Sequence, residues 1–118
     1  MLSTTLLHEM LHAITLPSLL NPNSIADRAL SKNTSKVYTK MKKIAGILAD
    51  NHQMFDNKQE FLSIFLTDKN ERQFAYDIAQ AADLEESNTL KGLLKQFVNS
   101  IINKLFDTQV FKSNVETL

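Results

Sequence analysis

The sequence contains no cysteine, and only two glycines and two prolines. The absence of cysteine excludes disulfides, thiolate metal ligands and a cysteine nucleophile. Since glycine and proline are the residues that most often interrupt regular structure, their scarcity favours helices throughout. No apolar run is long enough to cross a bilayer, and the N-terminus lacks the basic start and continuous apolar stretch of a signal peptide. These absences predict a protein without a membrane partner, located in the cytoplasm or in a virion.

The chain also has no excess of positive or negative charge, because 13 lysines and arginines balance 13 aspartates and glutamates. Only two of the cations are arginine, the residue that reads bases and binds phosphates through paired hydrogen bonds. The charge therefore favours neither nucleic acid nor an anionic membrane as a partner. The most basic stretch contains Lys36, Lys40, Lys42 and Lys43, and such a run is more typical of a solvated helix face than of a DNA-binding one.

Apolar residues recur at three- and four-residue spacing, without the alternation of strands. The 118 residues suffice for one domain with one core. We expect an all-α fold, a compact bundle of about five to six helices spanning 1–118. The first three predicted helices cover about 3–15, from 22 or 24 to 30, and from 35 to a polar loop at 50–57. The others cover 58–66, a stretch that begins at 67 or 68, and 90–105. The predicted core positions are Val37, Met41, Ile44 and Leu48; Phe61, Leu62, Phe65 and Leu66; Phe74, Ile78 and Ala81; and Leu90, Leu94, Phe97, Ile101 and Leu105.

Three predictions concern the breaks between helices and the end of the chain. Pro17 disfavours helical geometry at the residue before it, so the first helix is expected to end near Thr15. Ser35 is expected to cap a new helix after a break that follows Leu30. The last ten or so residues are expected to fray.

One short motif suggests chemistry. His8 and His12 are four residues apart, so on a helix both imidazoles project from the same face, one turn apart. Both rings can then bind one zinc ion at about 2.0–2.1 Å. Glu9 lies beside the first histidine, where it can take a proton from water activated by the metal. The alternative interpretation is a helix whose histidines pack or face solvent without a metal.

A catalytic zinc needs a third protein ligand, and the residues leave three choices. Glu60 is favoured, because it lies opposite Phe65 on its short helix, where it can face the first helix. His52 and Asp56, in the preceding loop, are the competitors. Two histidines and a carboxylate suit zinc, although iron, nickel or cobalt can use the same donors.

Two segments carry a family resemblance: Thr5–Ala13 (TLLHEMLHA) and Asn57–Asp68 (NKQEFLSIFLTD). Together they resemble the zincin-like metallopeptidase domains of large multidomain proteins from bacteriophages and mobile elements. The resemblance implies zinc ligands His8, His12 and Glu60, with Glu9 as the general base. It also implies hydrolysis of a peptide or protein substrate, by an active enzyme or by a degenerate remnant of one.

The chain departs from the zincin pattern at two points. Zincins place a small sheet before the motif helix and bind the substrate on its edge strand, but only seven residues precede His8. A longer protein or a partner chain is then expected to supply the sheet. Glutamate-type zincins also often carry an acidic residue where this chain has Ile64. A rival hypothesis is a helical structural or interaction module from a phage or mobile element, without catalysis.

Overall fold

A computed structural model describes residues 4–83 and 89–107, which form helices and turns without any strand. The all-α prediction is confirmed. Helices α1 to α5 cover Thr4–Leu20, Ile25–Ala45, Lys58–Thr67, Lys69–Asp83 and Thr89–Asp107, and two 3₁₀ turns cover Gly46–Asn51 and Gln53–Phe55. The prediction of fraying at the end of the chain concerns residues outside the described ranges.

Side-chain caps determine where three helices begin. Ser24 Oγ accepts a hydrogen bond from the amide of Asp27 at 3.1 Å, and Asn57 Oδ1 accepts one from the amide of Glu60 at 2.8 Å. Asp68 caps α4 in the same way. Each cap satisfies an amide that has no partner within its helix.

The predicted end of the first helix at Thr15 is wrong, because α1 continues through Pro17 to Leu20. A proline inside a helix removes one backbone hydrogen bond and costs about 3 kcal/mol. Tertiary contacts of the last turn offset this cost. Ser18 is fully buried and donates a hydrogen bond to Asp27 at 2.8 Å.

The predicted break between Leu30 and Ser35 is also wrong, since α2 is continuous from Ile25 to Ala45. The polar side chains in this stretch form other hydrogen bonds instead of capping the start of a helix. Thr34 is buried and its hydroxyl donates to the carbonyl of Leu30 at 2.6 Å. Asn33 bonds the hydroxyl of Ser100 on α5. These contacts keep the backbone helical across a stretch whose composition suggests a cap.

Two predicted core positions, Leu48 and Ala81, are exposed. Gly46 ends α2 with a φ of 56°, a left-handed conformation that side chains disfavour, so Leu48 no longer follows the face of that helix. On α4 the buried small residues are Ala75 and Ala79. The buried face of α4 is therefore turned slightly from the predicted one.

The core is centred on aromatic side chains of α3 and α5. The ring centroids of Phe61 and Phe97 are 5.4 Å apart, and those of Phe61 and Tyr38, on α2, are 5.8 Å apart. The predicted loop at 50–57 adds Met54 and Phe55, which are buried in the 3₁₀ turn. Most of the predicted core is confirmed, and its members with little or no exposure include Val37, Met41, Phe61, Leu62, Phe65, Ile78, Leu90, Leu94, Phe97 and Ile101.

A buried ion pair joins three helices at one end of the bundle. Asp27 on α2 accepts hydrogen bonds from Ser18 of α1 and from the amide of Asn23, and Lys104 of α5 lies 2.6 Å from its carboxylate. Burial raises the pKa of the Asp27 carboxyl, but these donors and the charge of Lys104 have the larger, opposite effect. The pKa is therefore lowered from 3.8 to about 2. Asp27 therefore stays ionised at neutral pH and holds the end of α1 in place.

Candidate metal centre

The histidine–glutamate motif lies within the continuous helix α1, as the sequence predicts. The backbones of His8 and His12 are separated by about 6 Å along the helix axis. The side chain of Glu9 is exposed to solvent. The side chain of His8 is outside the part of the chain that the structure describes.

His12 contacts helix α3. Its ring is half-buried, and Nε2 is hydrogen-bonded to the hydroxyl of Ser63, a buried residue on α3. Nε2 is one of the two imidazole nitrogens that can donate a lone pair to zinc. A metal on this nitrogen would therefore have to displace the Ser63 hydroxyl.

Helices α1 and α3 pack on each other. Ser18, near the end of α1, bonds Asp27, near the start of α2. Tyr38 lies about 16 Å further along α2. Its hydroxyl donates to the carbonyl of Phe55, just before α3, and its ring contacts Phe61, near the start of α3. The start of α3 therefore lies against the second half of α2, and the contact between His12 and Ser63 joins α3 to α1.

Glu60 lies on α3 close to the contact between α3 and the motif. Glu60 precedes Ser63 by three residues, and His8 precedes His12 by four, so both are about one turn from the His12–Ser63 contact. Glu60 is half-buried and its carboxylate accepts a hydrogen bond from Gln53 at 3.3 Å.

The chemistry of the donors suits zinc, but the described side chains do not yet form a site. Among them, no three histidines, aspartates or glutamates are grouped closely enough to hold a metal ion. His8, which the motif requires, is not one of these side chains. A complete site therefore requires His8, and requires His12 to bind the metal through Nδ1 or through an Nε2 released from Ser63.

His52, one of the two other candidates for the third metal ligand, interacts with residues outside the motif. Its Nδ1 lies 2.7 Å from Glu71 Oε2, and its ring stacks on Phe74 with centroids 3.9 Å apart. This cluster borders a hollow of about 650 Å³ that Thr67 and other polar residues line. Asp56, the other competitor, is exposed. Sequence reasoning did not identify the His52–Glu71 pair, because the two residues are 19 positions apart and belong to no common motif.

Both tyrosines have other packing roles. The hydroxyl of Tyr38 donates to a backbone carbonyl at 2.9 Å, and Tyr76 on α4 contacts the ring of Phe65. Ile64, at the position where zincins often carry an acid, is half-buried against the core. None of these three residues supplies a polar group to the motif.

The chain matches no protein-family model, no curated protein and no solved structure. Within the described residues, no helix is both long and apolar enough to span a membrane.

Proposed function

We propose that this chain holds a zinc ion through His8, His12 and Glu60, as part of a metallopeptidase or a degenerate remnant of one. The observation that supports the proposal is the contact between His12 and Ser63, because Glu60 lies about one helical turn from Ser63 on α3. Two histidines one turn apart and a carboxylate from a neighbouring helix are a donor set that zinc prefers.

The bound metal would supply a Lewis acid that makes water nucleophilic near neutral pH. Glu9 is the base in this proposal. Its carboxylate is exposed and adjoins a ligand, so it can accept a proton from the attacking water and return it to the leaving amine. The edge strand that would bind the substrate is not among the described residues, so a further chain segment or a partner has to provide it.

Metal content measured on protein purified without chelators tests this proposal. We expect about one zinc per chain, lost on His12→Ala or Glu60→Ala. His52→Ala is the matched control, because His52 is engaged with Glu71 and should not affect the metal. No bound metal after addition of zinc, or equal loss in the His52 variant, would contradict it.

A second measurement separates catalysis from binding. Glu9→Gln should retain zinc but lose peptide hydrolysis, because an amide cannot accept the proton. The assay needs the substrate-binding segment restored. Full hydrolysis by the variant would exclude Glu9 as the base.

A second candidate function is a helical interaction module without metal or catalysis. The hydrogen bond between His12 and Ser63 favours it, since this contact gives the histidine a packing role between α1 and α3. On this hypothesis zinc should not bind, and His12→Gln should mainly lower thermal stability. Metal analysis of the unaltered chain therefore distinguishes the two candidates.

A further inference from the structure

Two bulky apolar side chains project from the turn after α2. Gly46 ends the helix with a positive φ, and the 3₁₀ turn then leaves Ile47 83% exposed and Leu48 61% exposed. We call these two side chains the apolar knob. The carboxylate of Asp50, which follows in the same turn, is also exposed. Adjacent aliphatic side chains in water are unfavourable unless another surface covers them.

A groove of matching character lies between α4 and α5. It has a volume of about 490 Å³, and its floor includes Ala79, Leu94 and Val98. Lys95, which is exposed, lies on its rim. Gly92 is also on the lining, and a methyl group at that position would meet nothing within 4 Å. We call this feature the α4–α5 groove.

The steric freedom at Gly92 is informative. Glycine inside a helix costs about 0.5–1 kcal/mol relative to alanine. Neither a positive φ nor a close neighbour requires glycine here. A small residue on the wall of an apolar groove does, however, let an incoming backbone approach closely.

Charge complementarity favours the apolar knob as the occupant of the α4–α5 groove, because the knob is followed by a carboxylate and the groove has Lys95 on its rim. Among the side chains that the structure describes, the large exposed apolar ones outside the groove are Leu20, Ile25, Ile47, Leu48 and Ile102. Of these, only Ile47 and Leu48 have an exposed carboxylate within three residues, since Asp27 near Ile25 is buried and paired with Lys104.

We propose that the apolar knob of one copy docks into the α4–α5 groove of a second copy, with Asp50 beside Lys95. The proposal is independent of zinc. The contact joins two different patches, so each copy retains a free knob or groove and association can continue beyond a dimer. Two side chains bury far less than the roughly 1,200–2,000 Å² of a stable interface, so association should be weak.

Sedimentation velocity of the zinc-free chain between about 10 µM and 1 mM tests this contact. We expect the mean sedimentation coefficient to rise with concentration. Replacing both Ile47 and Leu48 by Ser should lower the association constant at least about tenfold. Ile25→Ser is the matched control, because Ile25 is 80% exposed but lies at the other end of α2.

Charge reversal provides the specific test. Asp50→Lys and Lys95→Glu should each weaken self-association, because each leaves like charges at the contact. A mixture of the two variants should regain association, since the lysine introduced in one then meets the glutamate introduced in the other. The mixed pair should also extend, with the two variants alternating, because its remaining knob has Asp50 and its remaining groove has Lys95. Circular dichroism verifies that these surface variants fold.

Three results would overturn the proposal. The first is a monomer over the whole concentration range, which would leave the groove for a different partner. The second is self-association that the Ile47 and Leu48 changes do not alter. The third is a charge-reversed mixture that associates no better than either variant alone.

Discussion

Replacing Asp27 by asparagine removes the negative charge that joins α1, α2 and α5. In the folded protein, burial raises the pKa of this carboxyl, but Lys104, Asn23 and Ser18 together lower it to about 2, against an ordinary value of 3.8. Each pH unit of difference corresponds to 1.36 kcal/mol, so ionised Asp27 contributes about 2 kcal/mol to the free energy of unfolding. The side chain is only 11% exposed, so solvent screening reduces this value little.

The direction of the pH dependence follows from the lowered pKa. The folded state holds the proton less tightly than the unfolded state, so the stabilisation is complete above about pH 4. It is lost as the pH falls through 3.8 towards about 2. The asparagine variant lacks this carboxyl and therefore lacks this component of acid sensitivity.

Urea unfolding followed by circular dichroism at pH 7, 5, 3 and 2 measures the effect. At pH 7 we expect Asp27→Asn to be less stable by about 2–4 kcal/mol, because it leaves the ammonium of Lys104 without its carboxylate. The difference between the two proteins should narrow by about 2 kcal/mol between pH 5 and pH 2. A difference that stays constant with pH would refute the reasoning. Lys104→Met is a second control, since it should shift the acid-sensitive range of Asp27 to higher pH.

Other predictions concern the core and the two histidine contacts. Phe61→Ala should lower the free energy of unfolding by about 3–5 kcal/mol, because the ring is fully buried; a loss below about 1 kcal/mol in urea denaturation would contradict its central position. If zinc binds as proposed, Ser63→Ala should tighten binding about three- to tenfold in competition with a chromophoric chelator, since His12 no longer has to leave the hydroxyl. Unchanged or weaker zinc binding would show that Ser63 does not compete. A double-mutant cycle of His52→Ala and Glu71→Ala should give a coupling of about 0.5–1 kcal/mol, and no coupling would show that their contact contributes nothing to stability.

Much of the helical fold follows from local signals in the sequence. Ser24 and Asp68 are good cap residues, and the predicted helix from 58 to 66 differs from the observed α3 by one residue. The deviations occur where tertiary contacts outweigh local preference. Pro17 lies inside α1 because Ser18 is buried against Asp27, a contact that local sequence does not reveal.

The candidate site was predictable only in part. The spacing of His8 and His12 suggests the motif, and the resemblance to zincins suggests Glu60 as the third ligand of the proposed site. Ser63 could not have been found in this way, because it meets His12 only when α1 packs on α3, across 51 positions of the chain. No local pattern specifies the direction in which two helices pack.

The pairing of α2 with α5 has a consequence for synthesis on the ribosome. Asn33 and Ser100, which join the two helices, are 67 residues apart. At about 5–20 residues per second, the ribosome makes α5 roughly 3–13 s after α2. During this interval the face of α2 that packs on α5 in the folded protein lacks that helix. Nascent chains of this protein should therefore expose a chaperone-binding surface until α5 leaves the exit tunnel.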